Sequence, residues 1–367
     1  MSKRFTGPEK IGEHTIYKFV LVSNYAKEWA IKLLNYAECE QIVFIDCMSN
    51  CGHYFDSNGN LIEGTGPRVA KTLSQLAGLF PNKQILAIFN DIDSKRIDYL
   101  KALMPTEKNN FKIEYYSLDA NELIKTLKFG RATNYLLMYD PFEAAIDWEA
   151  LEKYFNGWGE VIINHMISDS IRGAKMAKSK RAVDKYEQTY LSDLSELLPY
   201  GSDKKSYENR IENIIKYLKL RKKRKYYIAS FPFFNEKNAL VYDLIHCTNS
   251  FLGFNLFKKI AWRTFGGKSS SKNTKGKEDQ LVLDFDGKGY CETASDDNCY
   301  YVKDIVDYIQ NSFDSQQEVP LDAIWELLDN HPVFPSDGYK KEIKQQLKER
   351  YQALFRGNTV SFRHRGQ

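Results

Sequence analysis

Four aspartates stand at the ends of short apolar runs: Asp46 closes IVFID, Asp91 closes ILAIFND, Asp119 closes IEYYSLD and Asp140 closes YLLMYD. A carboxylate at a strand tip can accept both hydroxyls of a ribose, which suits Asp91, or a hydrogen from an adenine amino group, which suits Asp119. The same residue type just past a strand also caps the following helix. Each aspartate therefore has a ligand reading and a capping reading, and their succession favours adenosine.

Asp140 is followed by Pro141 and Phe142. The proline pins the backbone behind the carboxylate, which could orient an acceptor amino group, and the aromatic ring could hold a flat base drawn out of its stack. The alternative is an ordinary Asp-Pro turn with the phenylalanine in the core. The turn after the first run, Asp46-Cys47-Met48-Ser49-Asn50-Cys51-Gly52, has one glycine and does not match a phosphate-cradling G-x-G-x-x-G. Asn50 tolerates left-handed backbone angles, which eases that turn. Asn164 and His165 close the next run, and a lone histidine there reads as structural. Arg172, beyond it, either meets a phosphate or substrate or pairs with Asp169. Cys47, Cys51 and His53 lack a full zinc pattern, so no metal is expected.

These residues need a scaffold that brings strand tips together. The runs at 42–46, 85–91, 113–119, 135–140 and 160–165 alternate with helical segments near 67–79, 93–104, 120–128 and 147–156, after a leading helix at 15–37. Strands alternating with helices predict an α/β doubly wound, Rossmann-like parallel sheet, whose ligands bind at the carboxyl ends of its strands. KYYIASF and ALVYDLIHCT, around the turn-like PFFNEKN, predict a late antiparallel hairpin. The expected division is an α/β domain at 1–263 with a helical insertion near 173–224, a Gly/Ser/Lys-rich linker at 264–298, and a small winged-helix domain at 299–367. Its three helices are expected in VKDIVDYIQNSF, PLDAIWELLDN and YKKEIKQQLKERYQAL, followed by the strand-like NTVSFRHR.

The chain has 367 residues, 43% of them apolar, enough to bury a large core. No apolar run approaches the roughly 20 residues of a membrane span, and the first ten residues lack a signal-type apolar stretch, so a cytoplasmic place away from membranes is expected. The net charge of +4 says little about partners, so the positions of the cations must carry that argument. From Gly201 to Lys225 ten Lys or Arg face three Asp or Glu, ending in Arg221-Lys222-Lys223-Arg224-Lys225. That run reads as a nucleic-acid contact or as a solvated helix end. Lys340, Lys341, Lys344, Lys348 and Arg350, with Arg363 and Arg365, add a second basic region that could lie along a duplex.

The chain as a whole resembles the three-Cys-motif partner family of bacterial proteins, which is similar to class I S-adenosylmethionine-dependent methyltransferases carrying a C-terminal winged helix. The resemblance runs through IDCMSNCGHYF, EGTGPRVA, FNDID, DAN, YDPF, IINH with the later Arg172, and YDLIHCTNSFLGFNLFKKIAW. It implies S-adenosylmethionine as cofactor, with Asp46, Asn50 and Gly52 in the first turn, Asp91 at the ribose and Asp119 near the adenine. Asp140, Pro141 and Phe142 are similar to the (D/N)-P-P-(Y/F) tetrad of amino-methyltransferases without its second proline. Ser49 and Asn50 stand where the family has smaller residues, which would narrow the place for the methionine part. The family further implies a three-Cys-motif protein of radical iron-sulfur type as partner. Two functions follow as expectations: a methyltransferase acting on nucleic-acid amino groups, or a catalytically degenerate nucleic-acid-binding or scaffolding subunit in a mobile-element or phage-defence setting.

Overall fold

The computed structural model describes residues 5–143, 145–155, 158–166, 179–191, 226–273, 299–313 and 318–362. The chain begins with β1 (Glu9–Lys10) and α1 (Glu13–Leu34), then β2 (Gln41–Asp46), β3 (His53–Phe55), β4 (Leu61–Glu63) and α2 (Thr65–Leu79). Alternation continues through β5 (Gln84–Asn90), α3 (Ser94–Lys101), β6 (Phe111–Tyr116), α4 (Ala120–Thr126), β7 (Thr133–Tyr139), α5 (Trp148–Phe155) and β8 (Gly159–His165). Next come α6 (Lys180–Tyr190), the hairpin β9 (Tyr227–Phe234) and β10 (Leu240–Thr248), and α7 (Phe251–Thr264). The last elements are α8 (Val302–Phe313), β11 (Val319–Pro320), α9 (Leu321–Asn330), α10 (Lys340–Tyr351), β12 (Leu354–Arg356) and β13 (Thr359–Ser361).

Seven strands form the main sheet in the order β6-β5-β2-β7-β8-β10-β9. β2, β5, β6, β7 and β8 are mutually parallel, while β10 runs antiparallel to both neighbours. The order reverses at β2, which lies between β5 and β7, and a ligand crevice opens at such a switch point. This is a Rossmann-like class I methyltransferase fold. Strand composition explains why both faces are covered. Alternate residues of β2 go to opposite cores, Ile42 and Phe44 to the side of α1, α2 and α7, and Val43 and Ile45 to the side of α4 and α5. Each such fully buried side chain contributes about 1.5–3 kcal/mol.

Pro232 lies inside β9, so the turn begins later than the expected PFFNEKN. β9 is the edge of the sheet and can accommodate a residue without a backbone N–H. A small sheet of β1, β3 and β4, absent from the sequence reading, adjoins the first turn, where the Gly64 N–H just past β4 donates to Gly52 O at 2.8 Å. The C-terminal elements follow the order helix, strand, helix, helix, strand, strand, with β11-β13-β12 antiparallel.

Residues 265–273, expected within the linker, are packed instead. Ser269 and Ser270 are buried, and the Ser269 backbone N donates to the Tyr300 carbonyl at 2.9 Å. Residues 274–298 and the end of the chain from Arg363 lie outside the described residues, as does most of the expected 173–224 insertion. Three side chains of α7 also tie the C-terminal elements down. The fully buried Lys258 Nζ donates to the carbonyls of Leu328, Asp329 and His331 at 2.9, 3.1 and 2.8 Å, at the end of α9 where a cation meets the negative pole of the helix. Burial pushes its pKa down to about 7. Trp262 Nε1 donates to Val333 O at 2.9 Å, and Lys259 pairs with Asp337 at 2.7 Å. Among the described residues no helix is long and apolar enough to cross a membrane.

Candidate functional site

β2 delivers Asp46 to the switch point, where it is 4% exposed and accepts the Met48 backbone N–H at 3.3 Å. Burial, and then the nearby Asp140 charge, push its pKa up to about 7, with Asp91 adding to the rise. Three strand-tip carboxylates therefore share one electrostatic neighbourhood. The turn that follows is built from side chains rather than glycines. Asn50 adopts φ 54°, its Oδ1 accepts the Cys51 N–H at 2.7 Å, and its own backbone N–H goes to Asp91 Oδ2 at 3.1 Å. Gly52 has φ +78°, and a Cβ there would lie 2.4 Å from Leu100 Cδ1 and 2.9 Å from Pro67 Cγ. Only glycine satisfies both the angle and the packing.

Asn90, at the tip of β5, is the clamp that sequence reasoning missed. Its Nδ2 donates to Cys47 O and Leu118 O at 2.9 and 3.0 Å, its Oδ1 accepts Leu118 N–H at 3.0 Å, and its carbonyl accepts both the backbone N–H and the hydroxyl of Ser49. One side chain thus joins the exits of β2, β5 and β6. Asp91, 4% exposed, accepts Asn50 N–H and the Asp93 N–H at 2.9 Å, and stands 3.6 Å from Arg96 Nη1. Burial raises its pKa. Asp119 behaves differently. It is exposed and caps α4, its Oδ1 accepting Asn121 and Glu122 N–H at 2.9 and 3.2 Å, so the capping reading describes its contacts.

Asp140 is held from two sides. Lys18 Nζ from α1 donates to Oδ2 and Asn164 Nδ2 from β8 donates to Oδ1, each at 2.5 Å. Lys18 is buried and lies 5.1 Å from the Tyr242 ring centroid. The signal for it was present in the sequence: Lys18, Val22, Tyr25 and Trp29 occupy one buried helical face, and a lone cation on such a face requires a counter-charge. Pro141 is buried behind the carboxylate, while Phe142 is 65% exposed, which excludes the core-packing alternative for this ring. The Arg96 guanidinium sits 5.8 Å from its centroid, within cation–π range. Arg96 therefore bridges the tips of β5 and β7, touching Asp91 and Phe142 together.

His165 is buried, with Nε2 3.1 Å from the Tyr190 hydroxyl, consistent with its structural reading. The Cys47 and Cys51 thiols donate to the carbonyls of Met138 and His53 at 3.1 and 3.2 Å. Arg172 and the run Arg221, Lys222, Lys223, Arg224 and Lys225 lie outside the described residues.

No protein-family model matches the chain, and no curated protein matches it. Solved structures with similarity include a Legionella pneumophila protein described under the family model DUF519, with 9% identity over 69% of this chain and 91% of that one, at a TM-score of 0.41. An rRNA methylase from Streptococcus thermophilus shows 11% identity over 67% and 97%, TM-score 0.30. Human methyltransferase-like protein 13, in complex with SAH, shows 12% over 73% and 97%, TM-score 0.33. The strand order, rather than these similarities, defines the fold.

Proposed function

We propose that this chain is an S-adenosylmethionine-dependent methyltransferase acting on nucleic acid, with a winged helix formed by the C-terminal elements. The observation that supports it most is the gathering of Asp46, Asp91 and Asp140 at the switch point, where Asp46 is buried and raised to about 7. The donor set fits S-adenosylmethionine. Asp46 suits the ammonium of the methionine part, since a cation there would offset its buried charge. Asp91 suits the ribose hydroxyls, and the Asn50 turn borders both. When bound, the cofactor supplies an electrophilic methyl group. Asp140, fixed by Lys18 and Asn164, orients an acceptor amino group, and the exposed Phe142 ring offers a face on which a flipped base stacks.

One observation favours a second reading. Both Asp140 oxygens already accept hydrogen bonds, one from a buried lysine, as in a site converted to binding or scaffolding for the three-Cys-motif protein that the family resemblance implies. The proposed contacts to nucleic acid include Arg221 to Lys225. Incubation with tritium-labelled S-adenosylmethionine and DNA or RNA separates the readings. Label in the nucleic acid, released on a modified base by digestion, is expected for the enzyme. No label despite retained cofactor binding would support the scaffold.

A further inference from the structure

Lys340, Lys344 and Lys348 follow one another every four residues along α10, which places them on one flank of the helix about 6 Å apart. Each lies over an aromatic ring. Lys340 Nζ is 5.1 Å from the Trp325 centroid, Lys344 Nζ is 5.8 Å from both Trp325 and Phe355, and Lys348 Nζ is 5.4 Å from Phe355. Trp325 belongs to α9 and Phe355 to β12, so the rings of two neighbouring elements hold the lysine stems in a row.

Charge distribution distinguishes this flank from ordinary solvated surface. Among the described residues none of the three lysines forms an ion pair within 4 Å, although Lys340, after Lys259, helps hold the Asp337 carboxyl below its usual range, whereas Arg350 on the same helix pairs with Asp307 at 3.0 Å. The acidic residues of α10 are directed elsewhere: Glu342 accepts from Gln346 and Glu349 from Gln345. Glu326, next to Trp325 in α9, is exposed. Arg356 on β12 is exposed.

We infer that this row is the surface on which the chain seats duplex DNA, the lysines meeting phosphates of one strand. This inference rests on the nucleic-acid reading above and names the partner. Three ammonium groups spanning about 12 Å run alongside four or five phosphates at about 3.4 Å per nucleotide along a strand, so that each meets about every second one. A helix such as α10 fits a B-form major groove about 12 Å wide, whereas the deep, narrow major groove of A-form RNA excludes a helix. Lys258, Trp262 and Lys259 fix the turn between α9 and α10 onto α7. A duplex on this row is thereby held in set geometry to the main sheet, rather than on a free tether.

The test is fluorescence anisotropy of the full chain with a short mixed-sequence DNA duplex across a salt series. Lys340→Gln, Lys344→Gln and Lys348→Gln together are expected to lower affinity by about tenfold or more and to reduce the slope of log affinity against log salt by about 2.7, which is about 0.9 per lost contact. If the triple variant melts early, Lys344→Gln alone reports the same effect as a slope change of about 0.9. Unchanged affinity and slope would overturn the inference. So would equal binding of duplex RNA with equal loss, or preference for an acidic peptide over DNA. Calorimetry of S-adenosylhomocysteine with the same variants is expected to be unaffected, so a failure here and a failure of the methyltransferase reading give different results.

Discussion

Under the proposed methyltransferase reading, Asp140→Asn is expected to lower methyl transfer by about 100- to 1000-fold while leaving S-adenosylhomocysteine affinity within a few-fold of the native value. The amide keeps the shape of the side chain but can no longer accept at both positions. Lys18 donates to one oxygen and Asn164 to the other. Whichever way the amide turns, its NH2 faces one of these donors. An acceptor group placed there by the proposal is then no longer oriented, and the Lys18 ammonium, buried on α1, loses its counter-charge. Asp140 is 24% exposed, so solvent screens part of that loss, and the stability cost is about 1–3 kcal/mol rather than the full cost of breaking a buried pair. Lys18→Met provides the comparison, since it frees the Asp140 oxygen without removing the carboxylate. Steady-state rates with thermal melting of both variants measure the effects. Native-like transfer by Asp140→Asn would remove Asp140 from the acceptor site.

Asp46→Asn is expected to stabilise the protein at pH 8 and to do nearly nothing at pH 4. The native pKa of about 7 lies above the unfolded value of about 3.9, because burial and the Asp140 charge favour the neutral acid. Between these values the native state holds a proton that the unfolded chain has released, so stability falls as pH rises from about 4 to about 7 and levels off above. A rise from about 3.9 to about 7 corresponds to about 4 kcal/mol as an upper bound. Asparagine cannot ionise and retains an oxygen for the Met48 N–H, which removes the loss. Denaturant midpoints of both proteins across this range check the result. Parallel pH profiles for native and variant would contradict the account of Asp46.

The sheet was legible because its strands are short apolar runs between amphipathic segments, a pattern that parallel strands covered on both faces impose on sequence. The carboxylates could be placed at the strand tips for the same reason. Their partners were less visible, since ion pairs and hydrogen bonds across the fold leave no local spacing. Lys18 and Asp140 are 122 residues apart, and only the interruption of an apolar helical face marks the lysine. Asn90 was hidden for a related reason: an amide beside a strand-tip aspartate draws less notice than the acid, although it makes more of the bonds that shape the turn. Asp119 shows the converse. Its type and position fit a ligand and a cap equally, and only hydrogen-bond geometry distinguishes them. Residues 265–273 look like linker by composition, yet small serines at this place pack under Phe234 and Tyr300 because their hydroxyls pair with the backbone.

The central claim, that the tips of β2, β5 and β7 surround one adenosyl group, is tested most directly by calorimetric titration of S-adenosylhomocysteine into the native chain and into Asp91→Ala. Saturable one-to-one heat is expected for the native protein, with affinity lowered by about tenfold to 100-fold in the variant as hydrogen bonds to a charged acceptor are lost. No heat from the native chain at high ligand concentration, or equal binding by both proteins, would contradict it.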